Sequence, residues 1–122
     1  MTDEDYDYYI NATNVEKVAT NIDNFFQMMN SNDYKSAYSV LSDGFKDTYF
    51  KTQDSFESFM KQTLYTSSEV SYGSFSDQIS GVFTQYVEIK NKDNKNDKKI
   101  RMNIIMQLQN ETDYKISFEI LK

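Results

Sequence analysis

The feature that most constrains this chain is a change of period. Up to about residue 66, apolar side chains recur at helical spacing. From about residue 67 they recur every second residue. A 3.6-residue period marks helices that bury one stripe, and a period of 2 marks strands that bury one face. The N-terminal half therefore reads as helices and the C-terminal half as a sheet.

The first helix is the clearest. Val15, Val18, Ala19, Ile22, Phe25, Phe26 and Met29 form one continuous stripe. Thr13 and Glu16 make a capping box ahead of it, in which each side chain satisfies a free backbone N–H. This predicts a helix over 13–30. "NSND" breaks it, and Asp33 caps a second helix over 33–42, with Tyr34, Ala37, Tyr38 and Leu41 on one face. "SDG" ends the second helix, with Gly44 suited to a left-handed terminal residue. Phe45, Tyr49 and Phe50 read as an aromatic connector. Thr52 caps a third helix over 52–64, with Phe56, Phe59, Met60, Thr63 and Leu64 on one face.

"SSEVSYGSFSD" and "GVFTQYVEIKN" are the first two strands, the second with Phe83, Val87 and Ile89 on one face. After the polar loop "NKDNKND", Ile100, Met102, Ile104, Met106 and Leu108 alternate without a fault. After "NETD", Tyr114, Ile116, Phe118 and Ile120 do so again. Short polar loops between strands imply an antiparallel meander. Its apolar face needs a cover, and the helices supply it. The expected fold is thus α+β: three N-terminal helices packed on one curved four-stranded antiparallel sheet. Residues 1–12 are an acidic, tyrosine-rich lead-in, and 13–122 form a single domain.

Composition excludes several functions. The chain has no histidine and no cysteine, so most nucleophilic triads and zinc sites are ruled out. Residues 1–89 hold 14 acids and 5 bases, and residues 90–122 hold 5 acids and 8 bases. The overall charge of −6 argues against general nucleic-acid binding, in which phosphate contacts dominate affinity. No apolar run is long enough to span a membrane, and "MTDEDYDYY" is too acidic for a secretory signal.

The stretch "FFQMMNSNDYKSAYSVLSDGFKDTYF", followed by "TQDSFESFM", resembles the helical half of small bacterial domains of the nuclear transport factor 2-like (cystatin-like) superfamily. The resemblance covers roughly residues 13–121. It implies a sheet curled around the helices into a cone. Some relatives of that kind are enzymes, isomerases and dehydratases among them, with an Asp, His or Tyr inside the cone. Many are non-catalytic domains tethered outside bacterial membranes, in lipoproteins, penicillin-binding proteins, and type IV secretion or conjugation assemblies.

The expected inner sheet face, from Ile100 through Ile120, holds no group that ionises near neutral pH. No catalytic residue, cofactor site or metal site is therefore assigned. Asp43, Asp47 and Asp54 read as helix-start or solvated residues. "DNKND" is no calcium loop, since Lys95, Lys98 and Ile104 stand where that loop wants an oxygen ligand, Gly and Glu. Asn11 and Asn110 head glycosylation sequons that chance explains in so asparagine-rich a chain.

Two candidate surfaces remain. Tyr38, Phe45, Tyr49, Phe59, Met102 and Met106 would line a pocket if one exists, although core packing accounts for the same residues. On the packing account, Tyr38 and Leu41 face the sheet and Tyr34 sits nearer its edge. Phe45 and Tyr49 close the open end of the cone and leave no large pocket. Lys90, Lys92, Lys95, Lys98, Lys99 and Arg101 form a basic cluster around one loop, suited to an anionic partner or to plain solubility. The expected function is a non-enzymatic binding or scaffold domain, the extracytoplasmic part of a membrane-anchored bacterial protein. Its partner would be a protein or cell-envelope component, and a homo-oligomer through the sheet face is open. The alternative is a small-molecule enzyme or carrier using an apolar cone, and a cytoplasmic location is the alternative compartment.

Overall fold

The computed structural model describes residues 13–108 and 113–121. The lead-in, both sequons' asparagines and the "NETD" turn up to residue 112 lie outside the described residues. Among the described residues, four helices, α1 (Asn14–Asn30), α2 (Tyr34–Ser39), α3 (Asp43–Tyr49) and α4 (Gln53–Thr63), precede four strands, β1 (Ser68–Ile79), β2 (Val82–Asn91), β3 (Ile100–Leu108) and β4 (Tyr114–Leu121). The strands form one open antiparallel sheet in the order β1-β2-β3-β4.

Local chemistry explains the helix ends. The Thr13–Glu16 capping box opens α1. The Asp33 carboxylate accepts from the Ser36 N–H at 3.2 Å and opens α2. Thr52 opens α4 through a box with Ser55. Each arrangement satisfies backbone N–H groups that the first helical turn leaves unpaired. Between α1 and α2 the chain reverses through Asn32 in the left-handed region, φ 62°, which asparagine tolerates better than most residues. Gly81 plays the same part between β1 and β2, at φ 77°.

Two local expectations are corrected. The aromatic connector is itself helical and forms α3. Gly44 lies inside that helix and is not a left-handed terminator. Val15, the first member of the α1 stripe, is exposed because it sits in the opening turn.

The core is continuous. α1 contributes Val18, Ile22, Phe25, Phe26 and Met29, and α4 contributes Phe56 and Met60. Against them lie Phe83, Val87 and Ile89 of β2, Met102, Ile104 and Met106 of β3, and Ile116 and Phe118 of β4. Tyr34, expected nearer the sheet edge, is buried, with its ring centroid 6.2 Å from that of Phe56. Burial raises the pKa of its phenol above the ordinary value.

Periodicity alone did not place one inward residue. Gln85 pairs with Ile104 and is buried in the apolar face. The register of β1 on β2 shifts between Tyr72 and Phe75, and such a bulge frees backbone groups. Gln85 answers it: its Nε2 donates to the carbonyls of Gly73 (3.1 Å), Ser74 (3.2 Å) and Tyr86 (2.8 Å). Gly73 is required there, since a Cβ would meet the Tyr86 ring at 2.5 Å.

Candidate functional site

The site grows from the way α3 is fixed to β4. Ile116 donates its N–H to the Val40 carbonyl (2.7 Å) and accepts from the Ser42 N–H (2.9 Å). Leu41 thereby forms a one-residue parallel bridge with Ile116. α3 starts immediately after this bridge, so its position relative to the β4 edge is set. Phe45 and Tyr49, four residues apart, fall on one face of it. Phe50 ends the helix, and its carbonyl accepts from the Tyr38 hydroxyl at 2.7 Å. α4 then returns with Phe56 turned into the core and Phe59 turned outward.

The result is an open groove of about 610 Å³ between these helices and β4, lined by Phe45, Tyr49, Phe50, Phe59 and Phe118, with Glu119 and Ile120 along the strand. The rings support one another. The Phe45 centroid lies 4.8 Å from Phe118, 5.3 Å from Tyr49 and 5.6 Å from Phe50, and Phe50 lies 5.2 Å from Phe59. The Phe45–Phe50 and Phe45–Phe118 pairs meet edge-to-face, an arrangement that adds stabilisation beyond burial. Tyr49 remains 68% exposed and Phe59 39% exposed. They are large rings left partly in water beside an apolar floor, the kind of patch that marks an interaction surface.

The strand side of the groove is polar in a particular way. Because Ile116 bonds outward to Val40 and Ser42, the alternation of an antiparallel ladder turns the backbone groups of Phe118 and Ile120 outward too. Ser117 and Glu119 turn toward β3. The groove therefore runs along a stretch of β4 whose outward N–H and C=O groups have no backbone partner among the described residues.

The six residues named from sequence as a possible pocket divide. Phe45, Tyr49 and Phe59 come together in the groove. Met102 and Met106 are fully buried in the core, where the inner sheet face packs on the helices. Tyr38 is half-buried behind the groove, its ring against Phe56 at 5.8 Å with the Lys46 ammonium 4.9 Å from its centroid. The expectation that Phe45 and Tyr49 close the open end without a large pocket is overturned. Phe45 packs on Phe118 of β4, but Tyr49 stays mostly in water, and the space lined by these rings, Phe59 and β4 is left open. Phe50, Phe118, Glu119 and Ile120 escaped the sequence reading as groove residues. The available signal was that β4 ends a meander and must be an edge strand.

The basic cluster is partly answered by acids. Lys95 Nζ lies 3.0 Å from Glu69, and Lys99 Nζ lies 4.0 Å from Glu88. Lys90 stands opposite Glu69, and Arg101 opposite Glu88, across the strands. The hydrogen bond from Lys95 and the nearby positive charge hold the Glu69 carboxyl below its ordinary pKa. The Lys98 carbonyl accepts from the Tyr65 hydroxyl, and the Lys92 N–H donates to Ser67 (2.9 Å). The tip is thus tied by several bonds to the start of β1.

The fold and groove define a small α+β domain with an aromatic surface site. The chain belongs to the family described as Domain of unknown function (DUF4864), whose model matches residues 11–120. No curated protein and no solved structure matches it significantly. Among the described residues, no helix is long and apolar enough to cross a membrane.

Proposed function

We propose that this is a non-enzymatic binding or scaffold domain whose site is the aromatic groove. One observation carries the reading: exposed Tyr49 and Phe59 flank an apolar floor that runs beside a strand edge. Glu119 is the one carboxylate among the described lining residues, which suits recognition better than proton transfer between paired groups. The resemblance to nuclear transport factor 2-like domains supports a setting in which such a domain serves as the extracytoplasmic part of a membrane-anchored bacterial assembly. Fractionation of the native protein tests that setting, and recovery in the cytosol alone contradicts it.

The second reading is a small-molecule carrier or enzyme. The groove volume of about 610 Å³ favours it, since it lies within the range of ligand pockets. Such a ligand would sit in this surface groove, because Met102, Ile104 and Met106 fill the interior.

The test of the site is fluorescence of anilinonaphthalene sulfonate, an apolar-surface probe, with the wild type and with the Tyr49→Ala/Phe59→Ala double variant. Wild type is expected to enhance the dye's emission, and the double variant to lose most of that enhancement at unchanged circular dichroism. Equal enhancement by both proteins, or none by the wild type, contradicts the reading.

A further inference from the structure

We infer that the groove takes an extended peptide, which joins β4 as an antiparallel fifth strand with the pattern apolar–basic–apolar. This rests on the groove being the binding site and goes further by naming the occupant. The backbone specifies a strand. Phe118 and Ile120 present outward N–H and C=O groups, and the β4 edge already accepts strand-like pairing one step away, where Val40 and Ser42 bond to Ile116. An added strand continues that same edge. Main-chain bonds would supply affinity and side-chain pockets specificity, as in other strand-addition complexes.

The register specifies the side chains. In an antiparallel ladder, residues directly opposite each other point to the same face. Guest residues opposite Phe118 and Ile120 would exchange backbone bonds with them and project toward the helix side, into the ring-lined groove. The guest residue between them stands opposite Glu119, which is exposed and belongs to the other face of the sheet. A basic side chain there completes a cross-strand ion pair. A second copy of this chain fits worse. Self-pairing that matches Phe118 with Ile120 sets two Glu119 carboxylates face to face, a destabilising juxtaposition. Self-pairing centred on Phe118 would need the place at Ile116 that Val40–Ser42 occupies.

The probe is a pool of capped hexapeptides in which lysine alternates with Val, Ile, Leu or Phe, titrated into the 15N-labelled chain. The largest amide shifts are expected at Phe118 and Ile120. N-methylation of the peptide at its apolar positions removes the donors facing β4 and should weaken binding at least tenfold. N-methylation at its lysines should change affinity less than threefold. Glu119→Lys should weaken binding at least fivefold at low salt. Equal loss from the two methylation patterns, the reverse pattern, or shifts confined to other surfaces overturns the inference. If the dye fills the groove but no peptide binds at millimolar concentration, the strand inference fails and the groove reading stands. If neither binds, both fail.

Discussion

The side-chain amide of Asn30 pairs with both backbone groups of Ser68: Nδ2 donates to the Ser68 carbonyl and Oδ1 accepts from the Ser68 N–H, each at 3.0 Å. The last residue of α1 thus acts as a single residue of strand on the free edge of β1. It fixes the helix to the sheet and satisfies a buried position, since Ser68 is only 6% exposed. Replacing it strands one donor and one acceptor. Asn30→Ala is expected to lower stability by about 1–3 kcal/mol. Urea denaturation checks this, and an unchanged midpoint counts against the pairing.

Gln85 should be harder to replace than its polarity suggests. Gln85→Leu keeps the volume class but leaves the bulge carbonyls of Gly73 and Ser74 without their donor. The expected loss is about 1–3 kcal/mol, again by denaturation. Gain of stability would mean that the amide is not needed at the bulge.

The division of the six pocket candidates makes a paired prediction. Met102→Ala removes a fully buried side chain and should cost about 2–5 kcal/mol. Tyr49→Ala removes a ring that is mostly in water and should alter stability by less than about 0.5 kcal/mol while reducing dye binding. Phe45, half-buried between α3 and β4, should fall between them. Thermal and chemical melts of the three variants decide the order.

Acid and alkali should act at identifiable places. The hydrogen bonds to Ser36 hold the Asp33 carboxyl below its ordinary pKa, and Lys95 does the same for Glu69. A depressed folded pKa contributes stability that is present above the unfolded value and is lost as pH falls through the folded value. Stability should therefore be level above about pH 5 and decline below it, with a shallower decline in Glu69→Gln. Tyr72 has the opposite sense. Burial, then the hydrogen bond and charge of Asp23, raise its phenol far above the ordinary value. Its hydroxyl donates to Asp23 and lies 3.0 Å from the Ala19 carbonyl. Its contribution is complete below the unfolded pKa of about 10 and falls as pH rises beyond it. Tyr72→Phe should flatten the alkaline limb of a stability–pH profile.

The elements were legible in the sequence where one physical signal dominated. The unbroken alternation from Ile100 to Leu108 could only be a half-buried strand, and Thr13 with Glu16 marked the start of α1 to the residue. The site was less legible because it depends on relations between distant segments. Phe45 and Tyr49 were visible as aromatic residues. What makes them one wall of a groove is the bond between Val40 and Ile116, two residues far apart in the chain. Alternation placed Phe118 and Ile120 on the inner face of β4, but it carried no information about which backbone groups would be left outward. Gln85 was passed over for a related reason: a polar residue on an apolar face makes sense only once the β1 bulge is seen.

Amide hydrogen exchange along β4 tests the central claim most directly, because the groove is a recognition site for a strand only if the edge beside it is open. The account predicts alternating protection. Ile116, bonded to Val40, and Ser117 and Glu119, turned to β3, should exchange slowly, while Phe118 and Ile120 exchange quickly in the free protein. Slow exchange at Phe118 and Ile120, matching their neighbours, would show the edge already covered and contradict the account.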